Sequence, residues 1–234
     1  MTLTGTNTYL VGSDPCWVID PGPDDSAHVA AVGREIERRG GAAGALLTHS
    51  HADHTGAVPA IEALGVPVIA PEDGRTYGPL EAIATPGHAI DHFCFFADLP
   101  TEGTGPAGTL AVCFTGDLIL GWGSTYVPPD GGSLAAYMDS LRLVAARRPD
   151  LLCPGHGPFI SAAMAKVGEY IDHRQDREDA LLEALAGGVR SRMELLDLVW
   201  ADVPEVLRPA AAVVLEAHLQ KLESEDRLPS DLAE

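Results

Sequence analysis

Over roughly the first two thirds of the chain, short apolar runs bounded by Gly, Pro and Asp alternate with helical patterns. The stretch from Leu3 to Val11 alternates weakly and reads as a strand. Asp14-Pro15 marks a turn, and Cys16 to Ile19 reads as a second strand broken by Asp20-Pro21-Gly22-Pro23. Asp24 or Asp25 can cap a helix with Val29, Val32 and Ile36 on its apolar side, stopped by Gly40-Gly41. Gly44 to Thr48 is a buried strand by pattern, a helix is predicted over 55–64, and Val66 to Ala70 is another short strand. The stretch 71–91 reads mostly as loop, with a strand at Glu81 to Ala84. Phe93 to Ala97 and Thr109 to Phe114 read as strands, joined by a Pro/Gly/Thr-rich connection over 99–108. After a Gly/Pro-rich loop, 121–132, Ser133 caps a helix with Leu134, Tyr137, Met138, Leu141 and Val144 on one face. Leu151 to Cys153 is a last short strand.

From about Ser161 strands vanish. Met164, Val167, Ile171, Leu181 and Leu185 mark a long helix ending near Gly187-Gly188. Ser191-Arg-Met-Glu194 has the pattern of a capping box opening a second helix, and Pro209 opens a third. The change divides the chain into an α/β unit over 1–165 and a small helical unit over 166–234.

With 234 residues, 46% of them hydrophobic and 21% charged, the chain has the composition of a globular protein able to bury a sizeable core. No apolar run approaches the roughly 20 residues that span a bilayer, and no signal peptide pattern is present, so the cytoplasm is the expected location and no membrane partner is expected. Cys16, Cys94, Cys113 and Cys153 lie in neither a C-x-x-C nor a disulfide spacing and read as core thiols, with Cys153, three residues before His156, also weighed as a ligand. The formal charge is −19, and the last 69 residues alone carry 8 Lys+Arg against 16 Asp+Glu. Such acidity opposes binding to nucleic acid and to anionic membranes.

The chemistry concentrates in Thr48-His-Ser-His-Ala-Asp-His-Thr-Gly56, where His49, His51, Asp53 and His54 crowd a loop leaving a strand. Imidazole and carboxylate suit zinc and similar divalent ions, and the tight turn makes these side chains diverge, so two adjacent ions could share them. His88, in a Pro-Gly-His turn, Asp117, ending a strand, and His156, between two glycines, are further ligand candidates at strand ends. Together they offer five imidazoles and two carboxylates. His92 is a candidate for supporting a ligand or touching substrate, and Trp122, Tyr126 and Pro128 for walling the cleft.

These residues carry a resemblance. H-x-H-x-D-H followed by separate His, Asp and His is similar to the signature of the metallo-β-lactamase-fold superfamily. Gly5-Thr-Asn-Thr-Tyr-Leu10, Thr115-Gly-Asp-Leu-Ile-Leu-Gly121 and Tyr170-Ile-Asp-His-Arg174 resemble the β-lactamase-like protein 2 group within it. The resemblance implies an αββα four-layer sandwich with a C-terminal winged-helix-like domain. It implies that His49, His51 and His88 hold one ion, that Asp53, His54 and His156 hold a second, and that Asp117 bridges them. The ions would be two divalent cations, zinc or else iron or manganese. Two departures stand out: the chain opens directly on the Gly5 stretch, where relatives have an earlier strand pair, and Ala89 replaces a frequent Thr or Ser.

The expected function is a dinuclear metal-dependent hydrolase that attacks a small ester, thioester or amide with a metal-bridging hydroxide, Asp53 serving as the catalytic residue. The rivals are a metal-dependent endoribonuclease on single-stranded RNA and a nucleic-acid-binding or interaction module with a vestigial metal site. The acidic tail favours a small-molecule substrate over RNA and reads as a packing or homodimer element.

Overall fold

The structure, a computed structural model, describes residues 5–101 and 108–232. Two sheets lie face to face. The first has the order β1 (Tyr9–Val11), β2 (Cys16–Ile19), β3 (Ala42–Leu46), β4 (Val68–Ile69). The second has the order β5 (Thr76–Tyr77), β6 (Leu80–Ala84), β7 (Phe93–Pro100), β8 (Thr109–Gly116), β9 (Leu151–Pro154). Strand alternation sorts the side chains: Ile19, Leu46, Phe95, Val112 and Phe114 fill the space between the sheets. Cys16, Val18 and Ala45 face away from it, onto α1 (Ser26–Arg38), through Val32 and Ile36. Cys94, Cys113 and Leu152 face outward from the second sheet, meeting Tyr137, Met138, Leu141 and Val144 of a later helix. The layers are therefore helix, sheet, sheet, helix, with a core at each junction.

The predicted helix over 55–64 is two shorter ones, α2 (Ala52–Thr55) and α3 (Val58–Ala63). Gly56 interrupts them because the Pro23-Asp24 backbone crosses at close range; a Cβ there would lie 2.7 Å from the Asp24 amide nitrogen. Ala57 N–H then leaves the helical ladder for Gly22 O at 2.8 Å. The helix thus starts earlier, inside the histidine cluster itself.

Other expectations shift at their edges. The first strand is described from Tyr9 only, and residues 1–4 lie outside the described part of the chain. Thr76–Tyr77 is a strand in the stretch read as loop. The chain pairs as far as Pro100↔Thr109, which narrows the 99–108 connection; residues 102–107 lie outside the described part. Asp25 caps α1, accepting from His28 N at 2.8 Å, and Ser133 caps α4 (Leu134–Arg147).

The C-terminal helices are α5 (Ala163–Ala186), α6 (Arg192–Val199) and α7 (Arg208–Ser224), with a 3-10 turn at Glu205–Leu207. Ser191 takes the N-cap backbone position of α6 but its hydroxyl bonds no helix amide, so the capping box does not form; Leu195 N–H to Ser191 O, 2.9 Å, closes that turn. The long α5 serves two cores. Ala163, Val167 and Tyr170 pack with α4 in the outer core of the second sheet. Leu181 and Leu185 pack with Leu195, Trp200, Leu215 and Leu222 in a separate cluster. Among the described residues no helix is long and apolar enough to cross a membrane.

Candidate metal centre

All the candidate ligands come from the same end of the sandwich. His49 follows β3, His51 immediately precedes α2, and Asp53 and His54 lie within it. His88 and His92 lie in the β6–β7 connection, Asp117 follows β8 and His156 follows β9. Strand ends that share one edge of a sheet deliver residues distant in sequence to one point. Two glycines permit the crowding. Gly116 has a φ of 46°, and a Cβ on it would lie 2.7 Å from both His92 Nε2 and Thr48 Oγ1. A Cβ on Gly155 would lie 2.6 Å from Asp117 Oδ1 and 2.8 Å from His54 Cε1.

Three groups form, each with its donor atoms within 4.8 Å of one another: His49, His51 and His88; His49, His54 and Asp117; Asp53, His54 and His156. His51 Nδ1 lies 2.9 Å from His49 Nε2 and 3.0 Å from His88 Nε2. His156 Nε2 lies 3.2 Å from Asp53 Oδ2 and 3.4 Å from Asp117 Oδ2, and His88 Nε2 is 3.7 Å from that same Asp117 oxygen.

Around this centre four of the five rings are held from behind, by contacts the sequence reading did not foresee. His54 Nδ1 donates to Asp20 Oδ2 at 2.8 Å, His88 Nδ1 to Tyr126 O at 2.6 Å, His156 Nδ1 to Gly5 O at 2.9 Å. His49 Nδ1 donates to Thr48 Oγ1 at 3.0 Å, and that hydroxyl donates its own proton to Asp20 Oδ2 at 2.7 Å. Asp20 Oδ1 also accepts the Thr48 amide at 2.7 Å. With Nδ1 of four rings committed outward, their Nε2 atoms point inward. Asp20 is buried and sits in the left-handed region at φ 49°. A non-glycine residue held in that strained region often marks a functional site.

His92 lies behind the centre, closed off from solvent. It is buried; its Nδ1 meets Thr85 Oγ1 at 2.9 Å, and its Nε2 accepts the backbone amide of Asp117 at 3.2 Å. Burial first, then the neighbouring His88, pushes its pKa down to about 3, which keeps it a neutral acceptor. Cys153 lies in the core between the sheets and joins none of the three ligand groups. His173 is exposed; its neighbour Arg174 is the one that turns into the α/β core.

The electrostatics of the centre are polarised. Burial would lift the Asp117 carboxyl, but the imidazoles of His156 and His54 outweigh it and hold it far below the usual carboxylate range. Burial would lower His54, but the carboxylates of Asp117 and Asp20 raise it to about 10. His49 is driven well below the ordinary imidazole value, by burial first and then by His92 and His54.

A cation fits this donor set. His54 Nε2 and Asp117 Oδ1 are buried with no hydrogen-bond partner, facing each other at 3.4 Å in a contact that is electrostatic rather than a directed hydrogen bond. Buried polar atoms are rarely left so. Ligands about 2.1 Å from one ion at tetrahedral angles lie roughly 3.4 Å apart, close to the separations found here.

Comparison with known proteins gives this centre its context. Residues 1–81 match the Metallo-beta-lactamase superfamily model, and residues 191–231 match the Beta-lactamase associated winged helix domain. The chain is 32% identical to Beta-lactamase-like protein 2 homolog of Drosophila melanogaster, over 97% of this chain and 85% of that one. It is also 32% identical to Lactamase-like protein adaB of Aspergillus niger, over 97% and 77%. A metallo-beta-lactamase family protein from Thermus thermophilus shares the fold, with a TM-score of 0.70 at 23% identity over 94% of this chain and 89% of that one. TTHA1623, a protein solved in a di-iron-bound form, matches at 25% identity and a TM-score of 0.53, over 68% and 91%. With its two facing sheets, its histidine and aspartate cluster at their edge and its helical C-terminal end, the chain belongs to the metallo-beta-lactamase superfamily, as a metal-dependent hydrolase carrying the winged helix associated with that family.

Proposed function

We propose that the chain is a dinuclear hydrolase of a small ester, thioester or amide with an apolar substituent. His49, His51 and His88 would hold one ion, Asp53, His54 and His156 the other, and Asp117 would lie between them. The observation that carries the reading is the buried pair His54 Nε2 and Asp117 Oδ1, unpartnered among rings whose other nitrogens are bound outward. Zinc suits this nitrogen and oxygen set, and the di-iron neighbour makes iron the first alternative, with manganese after it. When bound, such ions lower the pKa of water to near neutrality and polarise the scissile carbonyl.

The chain's own residues supply the rest. Asp53 is the ligand candidate with the most accessible carboxylate, its side chain 26% exposed, and its Oδ2 lies 3.2 Å from His156 Nε2. It can orient the attacking water and pass a proton to the leaving group. His92 and Asp20 fix Asp117 and His54 from behind. The exposed Ile90, Trp122 and Tyr126 are chain neighbours of the centre, on the His88 side and beside the loop after Asp117, and offer apolar walls.

Charge supports a small molecule over RNA. Among the described residues most lysines and arginines already face carboxylates, including Arg177 with Asp202, Arg190 with Asp231, Arg208 with Asp197, and Lys221 and Arg227 with Glu178. A phosphate backbone would find few cations to meet. Four buried free thiols accord with the reducing cytoplasm.

Elemental analysis joined to an activity panel tests the proposal. The panel covers thioesters, lactones, a chromogenic β-lactam, phosphodiesters and single-stranded RNA. Two ions per chain and chelator-sensitive turnover of an acyl substrate are expected. Turnover of RNA alone, or full activity after complete metal removal, would overturn it.

A further inference from the structure

The loop between Asp117 and Pro128 runs from the Asp117 ligand to the carbonyl that orients His88, and α5 holds it along its length. Tyr170 Oη accepts the Leu120 amide at 3.1 Å and donates to Gly123 O at 2.9 Å. Arg174 Nη2 donates to Ser124 Oγ at 3.2 Å and to Thr125 O. The next carbonyl along, that of Tyr126, accepts from His88 Nδ1 at 2.6 Å. Arg174 is buried, with its guanidinium carbon 5.5 Å from the centre of the Tyr137 ring. Tyr137 Oη in turn donates to Leu118 O at 2.7 Å, at the start of the same loop.

An arginine that only needed a counter-ion would have many carboxylates to choose from in so acidic a chain. This one is buried away from solvent and gives its hydrogen bonds to a single loop. Removing an acceptor behind a metal-binding imidazole releases its ring orientation and its tautomer. We propose that Tyr170 and Arg174 are positioning residues for the His88 corner of the centre: they fix the 118–126 backbone, and so present the Tyr126 carbonyl that keeps the His88 proton on Nδ1. The effect on metal affinity rests on the ligand assignment proposed above; the effect on His88 does not. In this arrangement α5, which also anchors the C-terminal helices, ties that part of the chain to the metal centre.

The test uses the full chain and three variants: Arg174→Gln, Tyr170→Phe and Glu178→Gln. Glu178 lies one turn further along α5 and pairs with Lys221 and Arg227 at 2.7 and 2.9 Å, on the side of the C-terminal helices rather than the loop. The readouts are the ¹⁵N tautomer pattern of His88 in chelated protein, hydrogen exchange of the 118–128 amides, zinc affinity by chelator competition, and melting temperature. Arg174→Gln and Tyr170→Phe should populate the second His88 tautomer, speed loop exchange and weaken one of two zinc sites by about 10- to 100-fold. Glu178→Gln should lower the melting temperature without touching the other three. Unchanged His88 spectra in both loop variants, or an equal loss of zinc affinity in Glu178→Gln, would overturn the proposal. A wild-type protein that takes up no zinc would sink the ligand assignment alone, because the tautomer and exchange measurements still decide the role of α5.

Discussion

Asp20→Asn is the sharpest probe of how the centre is built. The Asp20 carboxylate accepts three hydrogen bonds: the Thr48 amide on Oδ1, and both the Thr48 hydroxyl and His54 Nδ1 on Oδ2. The backbone amide cannot change its role, so the asparagine oxygen must take the Oδ1 position. Its NH₂ then stands where Oδ2 accepted. The Thr48 hydroxyl can rotate, but His54 can answer only by moving its proton to Nε2, the nitrogen that faces Asp117. A ligand protonated at the coordinating atom is lost until that tautomer is reversed. Changes of this kind behind a ligand weaken metal binding about 10- to 100-fold, or about 1.4–2.8 kcal/mol. Asp20→Ala is too blunt. It strands three buried donors at about 1–3 kcal/mol each, a sum comparable with the roughly 5–15 kcal/mol of a whole domain. The assay is zinc titration in a chelator-buffered series, with melting temperature measured in parallel. One site should weaken while the site nearest His51 and His88 keeps its affinity. Two sites at wild-type affinity in Asp20→Asn would refute the reasoning.

Three further outcomes are expected. His51→Ala removes an exposed ligand candidate, so metal content should fall by up to one ion per chain while the melting temperature of chelated protein stays put; unchanged content would remove His51 from the centre. Asp53→Asn should reduce turnover about 10²–10⁴-fold at normal metal content and nearly normal melting temperature, and near-normal turnover would leave Asp53 a replaceable ligand. His218 is buried with neither ring nitrogen hydrogen-bonded, and burial, then Arg174 and Lys221, pushes its pKa down to about 3. As pH falls below about 6.5 the unfolded chain takes up this proton first, so the folded state loses stability from there down to about pH 3. His218→Leu should raise the melting temperature and flatten that decline by about one proton, ~1.4 kcal/mol per pH unit; parallel pH curves for the two proteins would contradict it.

The seven ligand candidates were legible because their chemistry is written in residue type and spacing. Four of them share one loop, and the others lie at strand ends flanked by glycine. Most strands and helices were legible from alternation and helical periodicity, and their stacking into four layers from the resemblance. What holds the ligands was not. Asp20 read as part of a Pro/Gly turn, and its role depends on a contact 34 residues away. The acceptors behind His88 and His156 are backbone carbonyls of Tyr126 and Gly5, and a carbonyl belongs to every residue, so no side-chain pattern announces it. The shift of the helix into residues 52–55 came from the Pro23-Asp24 backbone crossing Gly56, another long-range event. In α5 the resemblance pointed at His173 and Arg174 together, and only the packing separates the exposed imidazole from the buried guanidinium.

The inward ring nitrogens also bear on the life of the protein in a cell. A proton on His51 Nδ1 can be given to only one of the two imidazole nitrogens about 3 Å away at a time, and a buried pair without a hydrogen bond lies beside them. A bound cation would satisfy these atoms together, at the place where the two sheets meet. Binding to the native state alone adds about 2.7 kcal/mol at a free ion concentration one hundred times Kd, enough to change the unfolded fraction nearly a hundredfold. Metal availability would then bear on how much of the chain stays folded as well as on turnover.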